Sequence, residues 1–235
     1  MMKSLKTLFL ICASVLLVAC GGGGGGGTPI SSGPVTSVDI FQTKTAYVNY
    51  VNDSRSLPFT IAGTTSGVSV TGSGTVTQST LTSSTFEGLP VLKKVTTITG
   101  TVTGNGVSVP LATTATSYVD SNYTLKGSSG SEYLVVTNGG AIPATAKVND
   151  TGILYSANRY TGSAKTTLLG TTNVTYVLQP ETASAALLKL IQVDKNTAGS
   201  VTMTSTLNFR ITPAGGLTRL SESSVGGTTS LTVTY

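Results

Sequence analysis

The sequence predicts an all-β fold: a single antiparallel sheet built as a meander, a sandwich or a curved half-barrel, with at most one short helix. Three observations carry this expectation. From Val201 to Ile211 the residues alternate, with Val201, Met203, Ser205, Leu207, Phe209 and Ile211 on one face and Thr202, Thr204, Thr206, Asn208 and Arg210 on the other. That period of two belongs to a half-buried strand and not to a helix. Turn-forming clusters recur at intervals of roughly ten to fifteen residues, the spacing of antiparallel hairpins. They include Gly104-Asn105-Gly106, Gly127-Ser128-Ser129-Gly130, Asn138-Gly139-Gly140, Pro213-Ala214-Gly215-Gly216 and Gly226-Gly227. Finally, 43 of the 235 residues are threonine; its branched Cβ suits a pleated strand and its hydroxyl tolerates water on the outer face.

The chain opens on a different kind of segment. Lys3 and Lys6 give a positive start, and the almost wholly apolar run Leu8 to Ala19 follows, ending at Cys20 and seven glycines, 21–27. A run of twelve is too short to span a bilayer, which takes about 20 apolar residues. It reads as an export signal. Leu17-Val18-Ala19-Cys20 matches a lipobox, and the first thirty residues resemble a bacterial lipoprotein precursor. The resemblance implies cleavage before Cys20, a diacylglycerol thioether on its sulfur, and an acylated amino terminus. Two or more chains anchor a protein stably where one does not. Gly21 in place of an aspartate favours the outer membrane by the same resemblance. The implied division is a signal over 1–19, the lipidated Cys20 with a flexible tether over 20–34, and one β domain over 35–235. Seven glycines behave as random coil spanning roughly 15 Å, so the tether holds the domain just off the bilayer.

Within the domain the elements follow in order. Leu57, Phe59 and Ile61 alternate, then Val68 to Thr77, where Gly72 and Gly74 on the apolar face predict a bend or bulge. Shorter alternations run over Val119-Ser121-Tyr123-Leu125, Val174-Tyr176-Leu178 and Leu231-Val233-Tyr235. Pro180 to Ile191 is compatible with a short helix beginning at Pro180 or with a turn leading into a strand. The strand is preferred, because its neighbours are strands and a hairpin needs no long crossover. Leu231-Val233-Tyr235 also resembles the last strand of outer-membrane barrels. The sparse aromatics do not supply the two girdles such a barrel needs.

Composition narrows function. The net charge of +5 falls to +3 once Lys3 and Lys6 leave with the signal, and no basic run exceeds Lys93-Lys94. That is too little for a nucleic-acid partner. There is no histidine, the commonest general base and metal ligand, and with Cys20 lipidated Cys12 is lost with the signal, so no disulfide is expected. None of the usual nucleophile or zinc signatures is present, so no catalytic residue, metal or cofactor is assigned. Ser163 and Lys165 sit two apart in a Gly-Ser turn and read as a solvated loop before a dyad. Nine isolated carboxylates, Glu87, Glu132 and Asp194 among them, could pair only through folding. Asp194 to Gly199 has one carboxylate and reads as an Asx-type turn before a calcium loop.

These readings favour a binding or structural module held on the outer membrane through Cys20, with an unidentified protein or hydrophobic ligand as its partner. The alternative is a carrier with a curved sheet cradling lipid; Leu207 to Ser221 is mildly similar to the meander of lipoprotein-sorting proteins. An enzyme is the least favoured class. By composition the domain resembles the Thr/Gly-rich lipoproteins of Gram-negative bacteria, which implies no active site.

Overall fold

The computed structural model describes residues 40–235. The signal over 1–19, Cys20 with its lipobox, and the tether through residue 34 lie outside the described residues. Among the described residues one helix, α1 (Thr43–Asn52), precedes thirteen strands: β1 (Arg55–Thr65), β2 (Val68–Gln78), β3 (Thr82–Phe86), β4 (Leu89–Gly104), β5 (Val107–Val119), β6 (Leu125–Ser129), β7 (Tyr133–Gly139), β8 (Thr151–Tyr160), β9 (Leu168–Thr182), β10 (Ala185–Asn196), β11 (Val201–Ile211), β12 (Leu217–Gly226) and β13 (Thr229–Thr234).

Successive strands pair antiparallel from β4 to β13, β13 pairs with β1, and β1 with β2. The ring closes because β2 also pairs with β4, from Val70 opposite Gly104 to Gln78 opposite Thr96. The sheet is therefore a closed barrel of twelve strands, which corrects the expected open meander, sandwich or half-barrel. Closure depends on β3. This strand pairs only with residues Leu89 to Lys93 of β4, so β2 and β3 lie end to end along the same edge of β4. A closed ring leaves few unpaired edges. Where an edge does lack a neighbour, proline occupies it. Pro58 precedes the β13 register, Pro90 and Pro110 lie outside the β5 and β6 registers respectively, and Pro180 lies beyond the β8 register. A residue without an N–H sits there at no cost to a ladder.

The period of two sorts residues into lumen and exterior. Across β11, Met203, Leu207 and Phe209 face inward and are buried, joined by Leu188 and Leu190 from β10 and Val174 and Leu178 from β9. Phe59, Ile61, Val70, Val76, Ile98 and Val102 fill the opposite side of the lumen. The outward faces of β13, β1, β2 and β4 carry threonine and serine, with Thr60 opposite both Ser73 and Thr234, and Thr77 opposite Thr97. The hairpin Pro180 to Val193 is β9 and β10 joined by a turn, so the strand reading holds there.

Several local expectations change. Gly72 and Gly74 make no bulge, since both flanking ladders run through them in register. They give room: a Cβ on Gly74 would lie 2.7 Å from the Phe59 ring and 2.8 Å from Gly100 Cα. The alternation Val119 to Leu125 is not one strand. The Asp120 carboxylate accepts from the amides of Asn122 and Thr124, both at 2.9 Å, and ends β5 in a turn. Conversely Gly127 to Ser129 belong to β6, and the turn falls after them.

Helix α1 was not anticipated at its position. Its intrinsic support is slight: Gln42 at the N-cap makes no side-chain cap bond and the first turn carries no acid. Tertiary contacts hold it instead. Thr43 Oγ1 donates to Pro143 O at 2.6 Å, Phe41 bridges to Ala146, and Ala46, Tyr50 and Val51 are buried among the lumen side chains.

Candidate functional site

Two places gather chemistry that the sequence scatters. The first is on the outer wall, under the β3–β4 hairpin. Its two-residue loop, Glu87-Gly88, has positive φ at both positions, 51° and 77°. That is the backbone sense of the tight hairpin turns that match strand twist. Glycine adopts it freely, whereas glutamate does so at a cost and is held there by partners. Tyr133 donates its phenolic proton to Glu87 Oε1 at 2.7 Å, and the Lys165 ammonium bonds Oε2 from the β8–β9 connection. These bonds hold the Glu87 carboxyl below the usual carboxylate range, the lysine contributing most and the tyrosine next. Burial and the same carboxylate push the Tyr133 phenol up, so it stays a donor.

Phe86 follows the clasp inward. Its ring stacks on Tyr118 with centroids 4.4 Å apart and rings 21° from parallel, and lies 5.3 Å from Tyr133. Gly127 makes the space, because a Cβ there would sit 2.4 Å from Phe86 Cζ and 2.2 Å from Leu134 O. Tyr118 and Ser129 share a hydroxyl hydrogen bond at 3.1 Å. Beside these rings lies an open cleft of about 450 Å³, bordered by Glu87, Glu132, Tyr118, Tyr133, Ser129 and Ser163. Its volume is in the range of small-molecule sites.

Glu132 is positioned from inside the barrel. Arg159 holds it bidentate, Nε to Oε2 at 2.7 Å and Nη2 to Oε1 at 2.8 Å, and reaches Asp194 at 3.6 Å with Nη1. Gln192 donates to the other Asp194 oxygen at 2.9 Å. Asp194 is 2 % exposed, and burial pushes its carboxyl up despite the arginine. It faces the lumen, so the expected Asx-type turn is built by Asn196 instead, whose Oδ1 accepts from the amides of Ala198 and Ser200 at 3.0 Å.

The second place is inside the lumen. Arg219 and Glu222 pair at 2.8 Å with both side chains 1 % exposed, and the guanidinium lies 4.0 Å over the Tyr235 ring. Arg219 Nε and Nη1, Glu222 Oε1 and the Tyr50 hydroxyl have no hydrogen-bond partner among the described residues. From Glu222 a polar line continues through Ser224, bonded to Ser205 at 3.0 Å, and past Gln192 and Asp194 to Arg159 and the cleft.

Sequence reasoning had named the members of the outer site without joining them. Ser163 borders the cleft, while Lys165 is committed to Glu87 and not to a serine. Glu87 and Glu132 do converge, but each is already bonded to a cation, and Glu87 is held ionised, not protonated as a general acid must be. The aromatic cluster was missed. Its signal was parity: Tyr118, Tyr133 and Tyr160 lie on the outward positions of β5, β7 and β8, where the rest of the wall is mostly small and polar. No protein-family model, curated protein or solved structure matches this chain.

Proposed function

We propose that this chain is an outer-membrane lipoprotein, anchored through Cys20, whose barrel is a binding module that recognises its partner at the outer cleft. The supporting observation is the distribution of side chains. The lumen is filled by apolar residues, α1 and polar side chains already paired with one another, Arg219 with Glu222 and Gln192 with Asp194, while the outer wall gathers three aromatic rings, two carboxylates and several hydroxyls around an open cleft. A carrier would hold its ligand in the lumen, where Leu207, Phe209 and Ile211 already pack with Tyr50, Val51 and Leu188. A wall facing lipid needs an apolar band; threonine and serine occupy that face over β13, β1, β2 and β4.

Fractionation tests the anchor and dye binding tests the module. Cys20→Ser should move the protein from the membrane to the soluble fraction, and unchanged fractionation would refute the lipid. The intact protein should show no saturable uptake of a hydrophobic fluorophore. Saturable uptake lost in a folded Leu207→Asn variant would overturn the cleft in favour of a lipid carrier.

A further inference from the structure

We infer that the cleft takes a neutral polyhydroxylated ligand, a saccharide unit, by hydrogen bonds from sugar hydroxyls to Glu87 and Glu132 and contact of a sugar face with Tyr118. The inference rests on the cleft being the recognition surface. It follows from which hydrogen-bonding capacity is spent and which remains. The two nearby cations are consumed: Lys165 bonds Glu87, and Arg159 spans Glu132 and Asp194. An anionic ligand would meet two carboxylates with no uncommitted cation opposite them among the described residues.

The carboxylates retain capacity. An ionised carboxylate has about four lone-pair sites. The structure uses one on each oxygen: Tyr133 and Lys165 on Glu87, and two arginine N–H groups on Glu132. What remains accepts hydrogen bonds, so the ligand must donate. The hydroxyls of Thr85, Ser129 and Ser163 can donate or accept, so the ligand can also accept. A ligand dense in groups that do both is a polyol. Arg159, braced by Asp194 and Gln192, positions Glu132 without reaching the ligand.

The rings decide between a polyol and a purely polar solute. Phe86 is 5 % exposed and Tyr133 9 %, whereas Tyr118 remains half-buried beside the opening. Aromatic side chains with a polar tip suit a ligand with one apolar and one polar side. A saccharide ring has that form, with C–H groups on its faces and hydroxyls around its rim. An apolar ligand would instead leave the carboxylates and hydroxyls desolvated and unpaired, which is unfavourable.

The test uses the full mature lipoprotein in a detergent without a sugar headgroup, carrying ¹³C-labelled tyrosine. The probes are cellotetraose, maltotetraose, mannotetraose and chitotetraose, with tetragalacturonate and a tetralysine peptide as charged comparisons. At least one neutral tetrasaccharide should shift the Tyr118 and Tyr133 signals saturably, and its ring C–H protons should receive saturation from the protein. Losing one hydrogen bond to a charged acceptor should weaken binding roughly tenfold in Glu132→Gln. Glu87→Gln provides a second variant, with thermal melts to show that both remain folded. Shifts caused only by tetragalacturonate or tetralysine would overturn the saccharide while leaving the cleft as the recognition surface. If no probe moves the tyrosine signals, both ideas fall together.

Discussion

The ammonium of Lys94 donates to the main-chain carbonyl of Val51 at 2.8 Å, so a strand of the barrel wall caps a helix 43 residues earlier in the chain. The same nitrogen donates to Asp53 O at 2.7 Å and Ser79 O at 2.9 Å, and the lysine is 1 % exposed. Three carbonyls thus match the three N–H groups of one ammonium. Two of them belong to the last turn and C-cap of α1, where carbonyls lack helical partners and a cation is favoured. The third is at the break between β2 and β3. One side chain therefore ties the helix to the point where the ring closes.

Lys94→Met should destabilise the barrel by more than a surface lysine change, about 1–3 kcal/mol for each carbonyl that water cannot reach. Urea midpoints would show it. Lys93→Met, one residue away on the outer face, should be nearly silent.

The same lysine sets a pH dependence. Burial, with Arg55 adding repulsion, pushes its pKa down to about 8 from 10.5. Between those values the unfolded chain binds more protons than the folded one, so stability rises with pH. Below about pH 8 both states carry the proton and the slope vanishes. Above pH 10 the trend reverses, because the half-buried Tyr47, packed against the lumen side chains, is held neutral in the fold and ionises on unfolding. The denaturation midpoint should climb from pH 8 to 10 and stay flat in Lys94→Met; a flat wild-type profile would refute the buried charge.

Phe209 packs edge-on to Tyr50, with centroids 5.2 Å apart and rings at 79°, where β11 meets α1. Phe209→Ala should cost about 3–5 kcal/mol. Unchanged stability would mean that the ring does not pack in the lumen.

Arg219 and Glu222 offer a double-mutant test. Arg219→Met alone strands a buried carboxylate and should cost about 3–5 kcal/mol, whereas Arg219→Met with Glu222→Met should recover most of it. Additive losses in the cycle would show that the two do not act as a pair.

The hairpin clasp should respond to acid. The Glu87 carboxyl is held low, so its contribution is present above the ordinary carboxylate range and lost as pH falls through the lowered value. The pair is partly exposed, so global stability should move little. Amide protection in Thr82 to Phe86, measured relative to the intrinsic exchange rate at each pH, should instead fall at low pH, and also in Glu87→Gln at neutral pH. Equal protection in all three conditions would show that the clasp does not hold the hairpin.

How much of this was legible in the sequence differs by element. The alternation from Val201 to Ile211 placed Met203, Leu207 and Phe209 inside, because on a strand the side-chain direction is set locally by the pleat. The same rule, applied to Lys93-Lys94, would have sent one lysine outward and one inward. Composition alone cannot say that three carbonyls wait there, since they come from α1 and from the β2–β3 break. Helix α1 shows the opposite limit. Thr43 to Asn52 has little intrinsic preference and no side-chain cap, and becomes helical because the lumen needs filling and Lys94 caps it. The cleft was illegible for a related reason, since Phe86, Tyr118 and Tyr133 come together only when β3 folds across the curved wall.

By itself, then, the sequence determined that the chain is β, where most strands run, and which face of each is apolar, since these follow from residue size, branching and a period of two. Only the tertiary structure decided that the sheet closes. Closure rests on β2 pairing with β4 past an intervening strand. Such a long-range ladder is set by the summed twist and stagger of all twelve strands, and by no residue pattern along any one of them.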